Sequence, residues 1–181
     1  MGFGAGLASR SSAFLGNHRN AGLMILTTPA QRRALLERAR TIAMVGASGN
    51  SLRPSYTVFS YLRRQPRYEV TPINPTIAQI DGVKAFPSLQ AYAAQRGVPD
   101  VIDVFRKPSE LIGLVNGAIA IGAPAIWFQY GVIDPEAIAL ADAAGMSVVV
   151  DRCMKVEHAR FSGGLSTSGL NSGLITSRLR G

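Results

Sequence analysis

One cysteine, two histidines and one tryptophan in 181 residues leave little from which to build several kinds of site. A lone cysteine, Cys153, excludes an internal disulfide and argues against a cysteine-rich metal centre, which fits a reducing cytosol. No apolar run approaches the ~18 residues needed to cross a bilayer, so a membrane partner is not expected. The phosphate-loop pattern G-x-x-x-x-G-K-[ST] of nucleoside triphosphatases is absent throughout. Acidic residues are also scarce, 11 against 19 basic ones, for a net charge of +8. That excess is confined to the two ends. Residues 1–40 hold six Arg and one Glu, residues 152–181 five basic groups and one Glu, whereas residues 41–151 hold eight basic and nine acidic groups. A nucleic-acid reader more often carries a basic, aromatic-laced face within its fold. No nucleic-acid partner is expected here.

What is present is a hydrophobic content of 47% in a chain long enough for one domain with a proper core, on the usual prior of roughly 100 to 200 residues per domain. Residues 1–27 show no clear periodicity and read as an irregular extension. Residues 28–165 read as the folded domain and 166–181 as a basic Gly/Ser-rich tail. Thr28-Pro29 has the chemistry of a helix start, with Leu35, Leu36 and Ala39 facing inward and Arg32, Arg33 and Arg38 in water. Strands are expected at 41–46, 68–73, 83–86, 100–105, 124–129 and 146–150. Helices are expected at 54–64, 88–97, 108–121 and 134–145, and a last one carries His158. Repeated alternation of strand and helix specifies an α/β fold, Rossmann-like and doubly wound: a mostly parallel sheet of five to six strands with helices on both faces.

Ligands of such sheets sit outside the carboxyl ends of the strands. The first strand ends in the small-residue turn of VGASGNSLRPSY, a backbone able to expose N–H groups to a phosphate at the start of the next helix. The strand ends together bring Gly46, Ala47, Ser48 and Arg53, then Asn74 and Pro75, Phe86 and Pro87, Phe105, Arg106 and Lys107, Gln129, Tyr130 and Gly131, and Asp151 and Arg152 to one edge. Four cations and one carboxylate there suit a polyanion with apolar parts. A nicotinamide dinucleotide fits poorly. Its sites usually carry G-x-G-x-x-G in the first loop and Asp or Glu after the second strand, where this chain has GASGNS and Asn74.

In order along the chain, VGAS…RPSY, PINP, VIDVFR, AIAIGA, WFQYG and DRCMKVEHAR resemble the small CoA-binding domain proteins, a group similar to the N-terminal CoA-binding domain of the succinyl-CoA synthetase α subunit. The Gly-rich, Arg-ended tail GGLSTSGLNSGLITSRLR adds to the likeness, which covers about Ala30 to Arg180. The resemblance implies a domain that binds coenzyme A or an acyl-CoA as its small-molecule ligand. Gly46, Ala47 and Ser48 would lie against a phosphate, Arg53 would pair with phosphate, and Asn74 and Pro75 would border the nucleotide. Phe105, Arg106 and Lys107 would line the adenine or 3′-phosphate side, with Ser55, Gln129 and Gly131 completing the set. A second domain with a phosphorylated histidine, which the synthetase uses, has no counterpart in these 181 residues.

No catalytic set is evident, so the expected activity is binding, in the cytoplasm, without chemistry of its own. Two alternatives stand beside it: a component of an acyl-CoA ligase or transferase, and a nucleotide-linked regulator. A homo-oligomer or a partner subunit is open. Cys153, His158 and Asp151 could be drawn as nucleophile, base and orienter, but a structural role is the simpler reading for His158. Asp103, in an apolar strand, is expected to accept hydrogen bonds from a neighbouring loop or an Arg. Trp127 and Phe128 are expected in the core.

Overall fold

The computed structural model describes residues 24–162; the proposed tail, 166–181, and His18 lie outside them. Helix α1 (Pro29–Arg38) opens with a reciprocal cap: the Thr28 hydroxyl accepts from the Gln31 N–H, while the Gln31 side chain accepts from the Thr28 N–H. Strand β1 (Thr41–Val45) and helix α2 (Pro54–Arg63) follow, then β2 (Glu69–Ile73). Next come the short strands β3 (Gln79–Ile80) and β4 (Val83–Lys84), and helix α3 (Leu89–Arg96), capped by the Ser88 hydroxyl. The second half runs β5 (Val101–Val104), a 3-10 turn at Pro108–Glu110, α4 (Leu111–Ala120), β6 (Ala125–Phe128), α5 (Pro135–Ala143), β7 (Ser147–Val149) and α6 (Met154–Ser162). Asp134 caps α5 by accepting from the N–H groups of Glu136 and Ala137.

The main sheet has five strands in the order β2-β1-β5-β6-β7, and every pairing is parallel. All four residues of β5 and of β6 are buried, as expected of strands covered on both faces. One face packs Ala43, Val45, Ile102, Val104, Ile126 and Phe128 against α3, α4 and α5. The other packs Ile42, Met44, Val101, Trp127 and Val149 against α1, α2 and α6. The chain proceeds outward from β1 to β2, then returns to place β5 on the opposite side of β1. The switch point of the sheet therefore lies between β1 and β5, where a doubly wound fold opens a crevice.

Three details depart from expectation. Residues 83–86 do not form one strand: Val83–Lys84 pairs antiparallel with Gln79–Ile80, and Phe86 makes a lone parallel bridge to Ile73. The Asp81-Gly82 pair, both residues at positive φ, turns that hairpin and was its sequence signal. Residues 24–27 belong to the folded unit instead of the extension, since Ile25 bridges Val148 in parallel and the Met24 N–H donates to Asp142 Oδ1 at 2.7 Å. Arg32 is not in water. It is 3% exposed, and its Nε donates to Glu157 Oε2 at 2.7 Å, with Arg160 on the other carboxylate oxygen at 3.0 Å. A buried guanidinium needs such a partner, and α6, packed against α1, supplies it.

Candidate functional site

The β1–α2 connection starts at Gly46, whose φ is +83°. A Cβ built there would lie 2.1 Å from the carbonyl oxygen of Phe105. Conformation and space both demand glycine, and this close approach is what lets the ends of β1 and β5 form one continuous wall. Beyond it the loop is held by its own side chains: Ser48 Oγ accepts from the Asn50 N–H, and Asn50 Oδ1 from the Leu52 N–H. Asn74 fixes the loop from below, its Nδ2 donating to the Ala47 carbonyl at 2.8 Å while its Oδ1 accepts from the N–H and hydroxyl of Thr76. A carboxylate at 74 could not make the first bond, so the residue that speaks against a dinucleotide also has a structural task.

Above this wall lies a cleft of about 700 Å³. Gly46, Ser48, Arg53, Ser55, Asn74, Phe105, Arg106, Lys107 and Gln129 line it, all expected from sequence. The N-terminus of α2 opens onto it: Pro54 has no N–H, Arg53 at the cap position makes no side-chain capping bond, and the first turn holds no acidic residue, so the helix dipole's positive end faces the cleft uncapped by any side chain among the described residues. Of the four expected cations, Arg53, Arg106 and Lys107 are in the lining. Arg152 is not; its guanidinium turns back onto the Asp151 carbonyl at 2.7 Å. Glu110, one helical turn from Arg106, reaches its Nε at 3.5 Å and offsets part of that charge.

Three other expected residues do not line the cleft. The Ala47 side chain is wholly buried, Pro75 borders an adjoining cavity of about 330 Å³, and the Gly131 N–H donates to Asp151 Oδ1 at 3.0 Å. Tyr130, from the strand-end set, also lines it, and Val58, Val132 and Cys153 add apolar lining from outside that set. Val58 sits one turn into α2 on its buried side, a position the helical period marks. Nothing local in sequence marks Val132.

Beneath the cleft is Asp103. It is fully buried, its Oδ1 accepts from Gln129 Nε2 at 2.7 Å, and its Oδ2 has no partner among the described residues. The partner is thus an amide on the adjacent strand, not an Arg. Burial, only partly offset by the bonds from Gln129 and the Val104 N–H, pushes its carboxyl up to about 7. Burial likewise raises the Cys153 thiol, and the Asp103 charge adds to this. His158 takes no part with Cys153: Nδ1 pairs with the Tyr61 hydroxyl at 3.0 Å and Nε2 with the Ser162 hydroxyl at 3.2 Å. Burial and the nearby Arg67 hold its pKa down. Among the described residues no cluster of His, Cys, Asp and Glu could hold a metal, and no helix is long and apolar enough to cross a membrane. Trp127 and Phe128 are core residues.

Residues 40–159, enclosing the sheet and every residue of the cleft, match the CoA binding domain family. The chain belongs to that family. An uncharacterized protein, YneT of Bacillus subtilis (strain 168), is 36% identical over 130 residues, which span 72% of this chain and 93% of that one. Among solved structures, a hypothetical protein from Pyrococcus horikoshii OT3 superposes with a TM-score of 0.70 at 38% identity, covering 75% of this chain and 93% of its own. A Thermus thermophilus protein gives 0.68 at 38% identity, covering 74% and 98%. Both likenesses extend over nearly the whole of the related chain.

Proposed function

We propose that the protein binds coenzyme A or an acyl-CoA in the cleft at the C-terminal edge of the sheet, without chemistry of its own. The observation that carries this reading is that one cleft combines cationic and apolar lining. Arg53, Arg106, Lys107 and the open end of α2 supply its cationic groups at the switch point of the sheet, and Val58, Phe105, Tyr130 and Val132 supply apolar surface. Coenzyme A has two parts that match them, a phosphorylated nucleotide and a long uncharged arm. Arginine suits the first because its planar fork can hold a phosphate through two bonds. Membership of the CoA binding domain family supports the ligand class.

Calorimetric titration with coenzyme A tests this. Binding is expected in the wild type, and Arg53→Ala is expected to weaken it by about tenfold, the value of one charge-assisted hydrogen bond. Failure of coenzyme A and acetyl-CoA to bind would refute the proposal. The placement of Cys153 in the cleft favours a second reading, a ligase or transferase component with a cysteine nucleophile. The upward push on that thiol opposes it, since the thiolate is the nucleophile.

A further inference from the structure

The amide of Gln129 stands between a buried carboxyl and the cleft. Gln129 is 4% exposed, and its Nε2 is committed to Asp103. Its Oε1 makes no hydrogen bond among the described residues, and Gln129 is a lining residue of the cleft. The cations are further out: Arg53 and Lys107 are exposed and the Arg106 side chain keeps a third of its surface, whereas Gln129 and Asp103 lie at the floor with Cys153. With its phosphates at such a rim and its arm directed inward, coenzyme A would bring the free end of that arm, a thiol or a thioester, to the floor.

We propose that Gln129 is the residue that reads the free end of that arm, and that the protonation of Asp103 sets whether it offers an acceptor or a donor. This inference rests on the CoA reading above. With Asp103 ionised, the carboxylate can only accept, so Nε2 faces it and Oε1 faces the cleft, where it receives the S–H of a free thiol. With Asp103 protonated on the oxygen that meets Gln129, its O–H donates to Oε1, the amide turns over, and the NH₂ faces the cleft, where it donates to a thioester carbonyl. The proton moves only between solvent and the Asp103 carboxyl.

The surroundings leave Asp103 as the group that controls this turn. In register beside it are Met44 on β1 and Trp127 on β6, neither of which titrates. From the start of α6 comes Cys153, whose thiol is raised and stays protonated while Asp103 titrates. From α2 come Ser55 and Val58, with Arg53 at its outer end, and Arg106 and Lys107 follow on the loop after β5. The push on Asp103 places its change of charge near neutrality.

The test is a pair of calorimetric titrations, coenzyme A and acetyl-CoA, at about pH 6 and about pH 8. Both ligands carry the same phosphates, so phosphate titration cancels in the ratio of their dissociation constants. In the wild type the ratio is expected to shift toward the free thiol by about fivefold on raising the pH, one hydrogen bond gained against one lost. In Asp103→Asn the ratio should not move with pH, and in Gln129→Leu the preference should vanish. A wild-type ratio independent of pH with both ligands bound, or an equal shift in Asp103→Asn, overturns this inference and leaves the CoA reading standing. Absence of binding by both ligands overturns the two together. The ligand-free protein gives a reading that does not depend on how well a variant binds. The side-chain amide NMR signals of Gln129 should follow a titration near neutrality that Asp103→Asn abolishes, and signals that do not move would exclude the switch.

Discussion

Replacing Gly46 by Ala tests whether the wall between β1 and β5 shapes the cleft. An alanine at a φ of +83° costs roughly 1 to 2 kcal/mol in backbone strain. Its Cβ would start 2.1 Å from the Phe105 carbonyl oxygen, and reaching ordinary contact at 3.4 Å requires the end of β5 to retreat by the difference, about 1.3 Å. Overpacking of this kind adds about 1 to 3 kcal/mol. Together these terms, about 2 to 5 kcal/mol, lower Tm by roughly 4 to 20 °C for a chain of this size, on a scale of about 2 to 4 °C per kcal/mol. The retreat carries Phe105, Arg106 and Lys107 with it, so coenzyme A binding should weaken by at least about tenfold even where the variant is folded. Gly49→Ala is the control. A Cβ at Gly49 meets nothing within 4 Å, and its backbone is not in the left-handed region. That variant should melt and bind as the wild type does, or melt slightly higher through lost chain entropy. Differential scanning calorimetry and ligand titration read both effects. Wild-type melting and affinity in Gly46→Ala would refute the account of the wall.

Two further outcomes concern stability. Glu157→Gln strands the guanidinium groups of Arg32 and Arg160 where α1 meets α6, and removal of one member of a buried ion network costs about 3 to 5 kcal/mol; a denaturant midpoint equal to the wild type's would show that the triad is dispensable. Asp103 has its pKa raised from 3.8 to about 7 on folding, so the native state holds a proton that the unfolded chain has lost between those limits. Its contribution is therefore full below about pH 4 and is lost as the pH rises through about 7, to a limit of about 4 kcal/mol. Urea unfolding across that window should show a decline that Asp103→Asn lacks, and parallel profiles would contradict the placement of that carboxyl.

The regular part of this molecule was legible because its signals are local. Thr28-Pro29, Ser88 and Asp134-Pro135 announce helix starts through their own side chains, and the apolar run around Val101–Val104, broken only by Asp103, announces a strand covered on both faces. Most of the cationic lining of the cleft was legible for the same reason, since strand ends are local and topology gathers them on one edge. What sequence did not disclose depends on pairing across the fold. Arg32 looks like any wet helix arginine until α6 brings Glu157 to it, 125 residues away. The partner of Asp103 is an amide on the neighbouring strand, fixed only once β5 and β6 are in register. Arg152 follows a strand end like the other cations, yet its side chain bends back on its own backbone and leaves the lining. The small β3–β4 hairpin was missed although Asp81-Gly82 marks it, because its strands are too short to show an alternating pattern.

The most direct measurement of the central claim is amide hydrogen exchange with and without coenzyme A. Ligand in the cleft should slow exchange in the segments 46–55, 105–110 and 129–132, which come together only at the C-terminal edge of the sheet, and should leave α1 and the outer face of α6 unchanged. Protection confined to α1 and α6, or no protection at a saturating concentration of coenzyme A, would contradict it.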